Sequence, residues 1–173
     1  MLYRSNPALY EWLASPVVYR ESALPADFPA ALAAYFSPRR ALEYYAGMAE
    51  RNRAAYLSGG SWTLKKVFHA LRPVLAGLWV AERGTPPPVP FDALAAQMPD
   101  AALRERVEEL LAMRRAAEKA AQIPAVPALE AYLRERTAAL RAAARAMPER
   151  RNPGWEPLDR LFLEALGAER SGA

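Results

Sequence analysis

Three features of this chain predict a mainly α fold: a helical bundle with a C-terminal helical hairpin and at most one short edge strand. Apolar residues recur at steps of three and four, the spacing that puts side chains on one face of a helix. Polar-residue-plus-proline pairs stand where helices should begin. The β-prone run Val17-Val18-Tyr19 spans only three residues, enough for an edge strand or an extended strap.

Taken in order, Ser5-Asn6-Pro7 opens a first helix over Ala8 to Ala14. Ser5 or Asn6 can cap it, and Pro7 sits where a missing N–H costs nothing. Ser15-Pro16 ends it, because a residue before proline avoids the helical region. A second helix is expected from Phe28 to Phe36, and Ser37-Pro38 opens a long one reaching Leu57. Ser58-Gly59-Gly60-Ser61 reads as a loop, and a helix from Lys65 to Arg83 follows. Pro73 lies inside that helix, where it should remove one backbone bond and bend the axis. Gly84 to Pro90, with its four prolines, is a stiff connector into a short helix from Phe91 to Met98.

Further on, Leu103, Val107, Leu110 and Leu111 form one stripe. Leu129, Tyr132, Leu133, Leu140, Ala144 and Met147 form another. The intervening Ile123-Pro124-Ala125-Val126-Pro127 should force a turn, giving an antiparallel hairpin. A last helix, Glu156 to Leu166, carries Leu158, Leu161, Phe162 and Leu166. The expected division is a region over 1–98 containing the basic helix 62–83, then the hairpin and terminal helix over 99–173.

The chain's 173 residues fit one domain, with or without a helical extension. No apolar run approaches the ~18 residues of a membrane span, and no signal-peptide stretch follows Met1. The sequence has no cysteine and one histidine, His69, which excludes disulfides, thiolate metal sites and multi-histidine centres. A soluble, cytoplasmic protein with no membrane partner is expected. The net charge of +4 is concentrated: Ser37 to Arg83 holds eight cations against three anions. A local excess of that kind suggests a polyanionic partner.

The helix Lys65 to Arg83 carries the sharpest signal. Lys65, Lys66, His69 and Arg72 share one face, and Val67, Phe68, Leu71, Val74, Leu75 and Leu78 form the other. Lys65, Lys66 and Arg72 can clamp phosphate, since cations stabilise the charge of a transferring phosphoryl group; they can equally be a solvated helix face. His69 can donate to phosphate, act as a base, or serve as a partly buried spacer. Arg39 and Arg40 oppose a helix dipole, which a bound anion or a pair with Glu43 would explain. Tyr44, Tyr45, Trp62 and Trp79 can stack a base or fill the core. The adjacent Glu108 and Glu109 point to different sides of a helix, so no paired-carboxylate site is expected there.

Several stretches in order carry a family resemblance: Ser5-Asn6-Pro7-Ala8-Leu9-Tyr10-Glu11-Trp12-Leu13, Ser15-Pro16-Val17-Val18-Tyr19, and Tyr45 to Leu57 with Met48, Asn52 and Tyr56-Leu57. Leu64-Lys65-Lys66, Leu71-Arg72-Pro73, Trp79 and Thr85-Pro86-Pro87-Pro88 continue it, to about residue 140. Together they resemble the C-terminal portion of predicted nucleotidyltransferases of the polymerase-β superfamily, in the group associated with RNA ligases. The resemblance implies nucleotidyl transfer from a nucleoside triphosphate, with Mg²⁺, to an acceptor such as an RNA end. It implies phosphate contacts at Lys65, Lys66 and Arg72. Where the family has an aromatic residue this chain has His69, so no role carries over to it.

The family's chemistry rests on a Gly-Ser loop and closely spaced aspartates that hold two metal ions. Here the only aspartates are Asp27, Asp92, Asp100 and Asp159, none close to another, and Gly60-Ser61 precedes a helix. The chain is therefore expected to begin where the family's catalytic part is finishing, as a truncated and by itself inactive portion. It holds no catalytic or metal-ligating residue of its own, and a catalytic domain would lie upstream or act in trans. The alternative is a stand-alone helical module that binds nucleic acid or a protein partner through the basic face. A helical protein of adaptor type, whose basic face is only solvated, also fits the composition. A portion separated from its catalytic half should expose an apolar patch near residues 1–20.

Overall fold

Side-chain caps and prolines set the helix starts in the computed structural model, which describes residues 1–18, 24–116 and 122–171. Tyr19 of the expected edge strand, and the charged Glu118 and Lys119, lie outside the described residues. A short 3-10 turn, Leu2–Arg4, leads into α1 (Pro7–Leu13), α2 (Phe28–Tyr35) and α3 (Pro38–Tyr56). Strand β1 (Ser61–Thr63) runs directly into α4 (Leu64–Arg83), followed by α5 (Phe91–Ala95) and α6 (Ala101–Ala116). Strand β2 (Gln122–Pro124), α7 (Pro127–Ala146) and α8 (Glu156–Ser171) complete the order.

The caps divide the polar residues by job. Asn6 Oδ1 accepts from the Ala8 N–H at 3.0 Å, Ser37 Oγ from Arg40 at 3.4 Å, and Thr63 Oγ1 from Lys66 at 3.4 Å. Ser5 caps nothing. It takes the left-handed conformation (φ 50°), and its buried hydroxyl accepts the Ser37 N–H at 2.7 Å. That bond fastens the start of the chain to the start of α3. Gly84, at φ 65°, closes α4 in the left-handed conformation that glycine adopts without penalty.

Helices α3, α4 and α7 build the centre. Leu42, Tyr45, Ala46 and Ala49 of α3 meet Val67, Leu71, Val74 and Leu75 of α4, with Leu129, Leu133 and Leu140 of α7 beneath them. One continuous apolar core takes in residues on both sides of position 98. Gly77 marks the tightest crossing: a Cβ there would stand 2.5 Å from Leu140 Cδ1.

The mainly α class stands, but two local expectations need correction. The stripes of α6 and α7 do not principally zip to each other. Leu103, Val107 and Leu110 of α6 enter the core beside α4 and α5, while α7 lies on α3 and α4. An open groove flanked by Leu103, Arg106, Tyr132 and Arg136 separates the two helices instead. The apolar face of α4, buried along most of its length, is the surface that both stripes pack against. The second correction concerns strands. The loop expected at Ser61 and the turn expected at Ile123-Pro124 are an antiparallel strand pair, with Trp62 opposite Ile123. Both side chains are buried, and the Trp62 indole N–H donates to the Leu57 carbonyl at 3.2 Å. Val17 and Val18 are exposed and form no regular element.

Pro73 does remove a bond, yet α4 runs on from Leu64 to Arg83. The carbonyl it deprives, four residues back, is that of His69. Asn52 Nδ2 of α3 donates to that oxygen at 2.7 Å. Among the described residues, no helix is long and apolar enough to cross a membrane.

Candidate phosphate-binding cleft

The first half of α4 buries Val67, Phe68 and Leu71, which turns Lys65, His69 and Arg72 toward the outer side. There α5 and α6 approach. Lys65, Phe68, His69 and Arg72 of α4, Phe91 of α5 and Arg114 of α6 line a cleft of about 180 Å³. Its lining contains no carboxylate. Phe68 and Phe91 meet edge to face at 5.0 Å, and the Arg114 guanidinium lies 5.2 Å from the Phe68 ring centre. Lys65, His69 and Arg114 are exposed, and no ion pair with a described residue engages Lys65, Lys66 or Arg114.

Three of the four residues singled out on this helix therefore converge. Lys66 does not line the cleft; one residue along a helix turns a side chain by ~100°. Arg72 is held in place. Its Nη1 donates to the Val89 carbonyl at 2.7 Å, anchoring the proline-rich connector, and its Nη2 lies 3.9 Å from Glu11 Oε1. The same carboxylate oxygen accepts from the Tyr45 hydroxyl at 2.8 Å. Burial above all, and then the Glu11 charge, push the Tyr45 phenol well above its ordinary range, so it stays a donor.

The His69 imidazole stands 6.1 Å from the Tyr56 ring. Partial burial first, then the charges of Lys65 and Arg114, lower its pKa below the ordinary 6.5. It is neutral at pH 7, able to donate from one nitrogen and accept at the other. The cluster as a whole offers fixed cations, one titratable donor and two aromatic walls. That combination has the chemistry to hold a small, highly charged oxyanion.

The remaining candidates sit elsewhere. Arg39 pairs with Glu43 at 3.3 Å and Arg40 with Glu149 at 3.2 Å, and neither lines the cleft. Tyr45 and Trp62 are core residues; Trp79 is half-buried, donates to Thr85 Oγ1 at 3.2 Å and carries the Arg83 guanidinium on its ring at 3.8 Å. Among the described residues no three His, Cys, Asp or Glu gather where they could hold a metal. Asp92 pairs with Arg115 at 2.8 Å, and Asp100 caps α6 through the Leu103 N–H at 3.0 Å. Those aspartates do not fit a divalent metal centre.

Sequence reasoning missed Arg114, Phe91, Asn52 and Glu11. Arg114 lies in a run of mixed charge, and nothing in such a run tells which member a distant helix will meet. Glu11 and Asn52 belong to stretches that stood out, but their partners are distant in sequence.

Comparison with known proteins adds a family. The model of the RNA repair pathway DNA polymerase beta family (RlaP) matches residues 1–164. Uncharacterized protein YcgL of Bacillus subtilis is 30% identical over 165 residues, which is 94% of this chain and 64% of that protein. This chain thus spans less than two thirds of that relative's length. No solved structure matches it.

Proposed function

The chain belongs to the RNA repair pathway DNA polymerase beta family, and from that premise we propose that it is the helical portion of a nucleotidyltransferase. In this reading the cleft between α4, α5 and α6 grips phosphate, either of a nucleoside triphosphate or of an RNA end. The carrying observation is the meeting of Lys65, His69, Arg72 and Arg114 around one small cavity with no carboxylate in its wall. Lys65 and Arg114, exposed and without an ion pair to a described residue, repel each other, and a bound phosphate relieves that repulsion while gaining charge-assisted hydrogen bonds.

The reaction supported by the family is transfer of a nucleotidyl group to an acceptor, with an RNA end as the acceptor that fits an RNA repair context. The aspartates of this chain are tied up or scattered, so the acids that hold Mg²⁺ would come from outside it, upstream or in trans. The contribution assigned to this chain is binding and orientation.

The test is RNA and ATP binding by the purified chain at several salt concentrations. Replacing Lys65 and Arg114 together by alanine should weaken binding, and should lower the slope of log affinity against log salt by about one, for the one phosphate site that the cleft supplies. Binding and slope unchanged in that double variant would remove the cleft from the function. Nucleotidyl transfer by this chain alone would overturn the assignment of the metal-holding acids to another source.

A further inference from the structure

Between the first halves of α6 and α7 lies a second, larger opening, the groove of about 400 Å³ that keeps those helices apart. That size is within the range of ordinary ligand sites, roughly 300–1,000 Å³. Leu103, Val126, Ala128 and Ala131 give it an apolar lining, and Tyr132 and Arg136 stand one turn apart on its α7 wall. It shares no residue with the cationic cleft.

Among the described residues, two buried side-chain polar atoms lack a hydrogen-bond partner: the Tyr132 hydroxyl oxygen and Arg136 Nε. Both belong to residues of this groove. Tyr132 is 7% exposed, and burial above all raises its phenol pKa, so the hydroxyl keeps its proton and remains a donor. The Arg136 guanidinium lies 5.5 Å from the Tyr132 ring centre and is paired with the neighbouring Glu135 at 3.5 Å. No side chain caps the start of α7, where Ala128 lines the same groove. Folded proteins leave few buried donors without an acceptor, because the water given up on burial is then not replaced. Two such donors on one face of one helix mark a place for acceptors that the chain itself does not supply.

We infer that the groove takes up a neutral, extended segment of another polypeptide: an aliphatic side chain fills the apolar lining, Arg136 swings off Tyr132, and main-chain carbonyl oxygens accept from the Tyr132 hydroxyl and Arg136 Nε. The ionic groups of the groove are already matched. Arg106 is paired with Glu109 at 2.6 Å, Arg136 with Glu135, and Asp100 accepts the Leu103 N–H at 3.0 Å. With the carboxylates of Asp100 and Glu135 in its wall, the groove does not favour a phosphate chain. A nucleobase would need an open aromatic face on which to stack, and the ring in this groove, that of Tyr132, is buried and faces Arg136. A peptide backbone is neutral, carries a carbonyl at every residue and brings apolar side chains with it. In a helix those carbonyls are bonded internally, so the segment that fits is extended.

The probes are two capped tripeptides, acetyl-Ala-Leu-Ala-amide and acetyl-Ala-Gly-Ala-amide, with uridine and a hydroxyl-ended RNA for comparison. Each is titrated onto the full chain while the methyl resonances of Leu103, Ala128 and Ala131 are followed. The expected result is saturable shifts of those methyls with the leucine peptide, and about tenfold weaker binding of the glycine peptide. Tyr132→Phe removes the hydroxyl and keeps the ring. It should leave the melting temperature of the free chain unchanged or raised, because a buried hydroxyl without a partner stabilises nothing, and should weaken the leucine peptide about fivefold. Arg136→Met, which keeps an apolar stem, should weaken it in the same direction. A Tyr132→Phe chain that melts earlier and binds the peptide as before would give the hydroxyl an internal role and overturn the inference. Larger shifts with uridine or RNA than with the leucine peptide would overturn the choice of a polypeptide, and no saturable shift with any probe would end the proposal while leaving the phosphate cleft untouched.

Discussion

At the scale of single residues, Asn52 and Pro73 form one device split between two helices. Proline removes the donor for the His69 carbonyl, and the Asn52 amide replaces it at 2.7 Å. The bond is open to solvent, so Asn52→Ala should cost about 0.5–1.5 kcal/mol, the net worth of an ordinary hydrogen bond. In a Pro73→Ala background the backbone N–H returns and the same change should cost much less. Chemical denaturation of the four proteins of that cycle measures the coupling. His69 itself sets a pH dependence. Its folded pKa is lowered, so the unfolded chain takes the proton first as pH drops. The associated stability is therefore present above pH 6.5 and is lost progressively as pH falls through that value. In His69→Gln, melting curves between pH 5.5 and 7.5 should lose that part of the slope. Glu11 joins Tyr45 to Arg72, so Glu11→Ala strands a buried phenol and should destabilise by about 1–3 kcal/mol.

At the scale of elements, the crossing of α4 and α7 depends on the missing side chain of Gly77. Alanine there would gain up to ~1 kcal/mol of helix propensity. It would also place a methyl 2.5 Å from Leu140 Cδ1 and 3.3 Å from Leu140 Cγ, so the whole leucine head stands in the way. Leu140 is itself buried on all sides and cannot swing clear. Overpacking wins, and Gly77→Ala should lower stability by about 1–3 kcal/mol, read by thermal or urea unfolding. A Gly77→Ala, Leu140→Ala double variant should be less unstable than the two single costs added together. The β1–β2 pair is the other long-range fastener. It joins residue 62, just before α4, to residue 123, just before α7.

At the scale of the whole molecule, the surface is divided between charge and exposed apolar area. Trp12, Val17 and Val18 stand 67%, 60% and 60% exposed near the start of the chain. On α8, Phe162 and Leu163 are also open. The segment between α7 and α8 holds the first helices down: Arg150 reaches the Ala33 and Phe36 carbonyls, Asn152 reaches the Tyr3 carbonyl, and Trp155 stacks on Tyr3 at 3.9 Å. Exposed apolar side chains gathered in a few turns are adhesive. The isolated chain should bind a hydrophobic dye such as ANS, and Trp12→Glu with Val18→Glu should reduce that signal without lowering the melting temperature. An equal signal from the double variant would place the adhesive surface elsewhere.

Helix positions were legible because their causes are local: Asn6, Ser37 and Thr63 cap within three residues, and Pro7 and Pro38 fix backbone angles at their own positions. The shared face of Lys65, His69 and Arg72 was legible for the same reason, since helical periodicity fixes direction. Local rules could not show that Trp62 pairs with Ile123, that α7 lies on α3 and α4 instead of α6, or that Arg114 completes the cleft. Those outcomes turn on which distant apolar surfaces bury the most area together, a competition among all the helices at once. The sequence by itself determined the helices and the sign of the charge on α4; only the tertiary structure decided that this charge encloses a cavity.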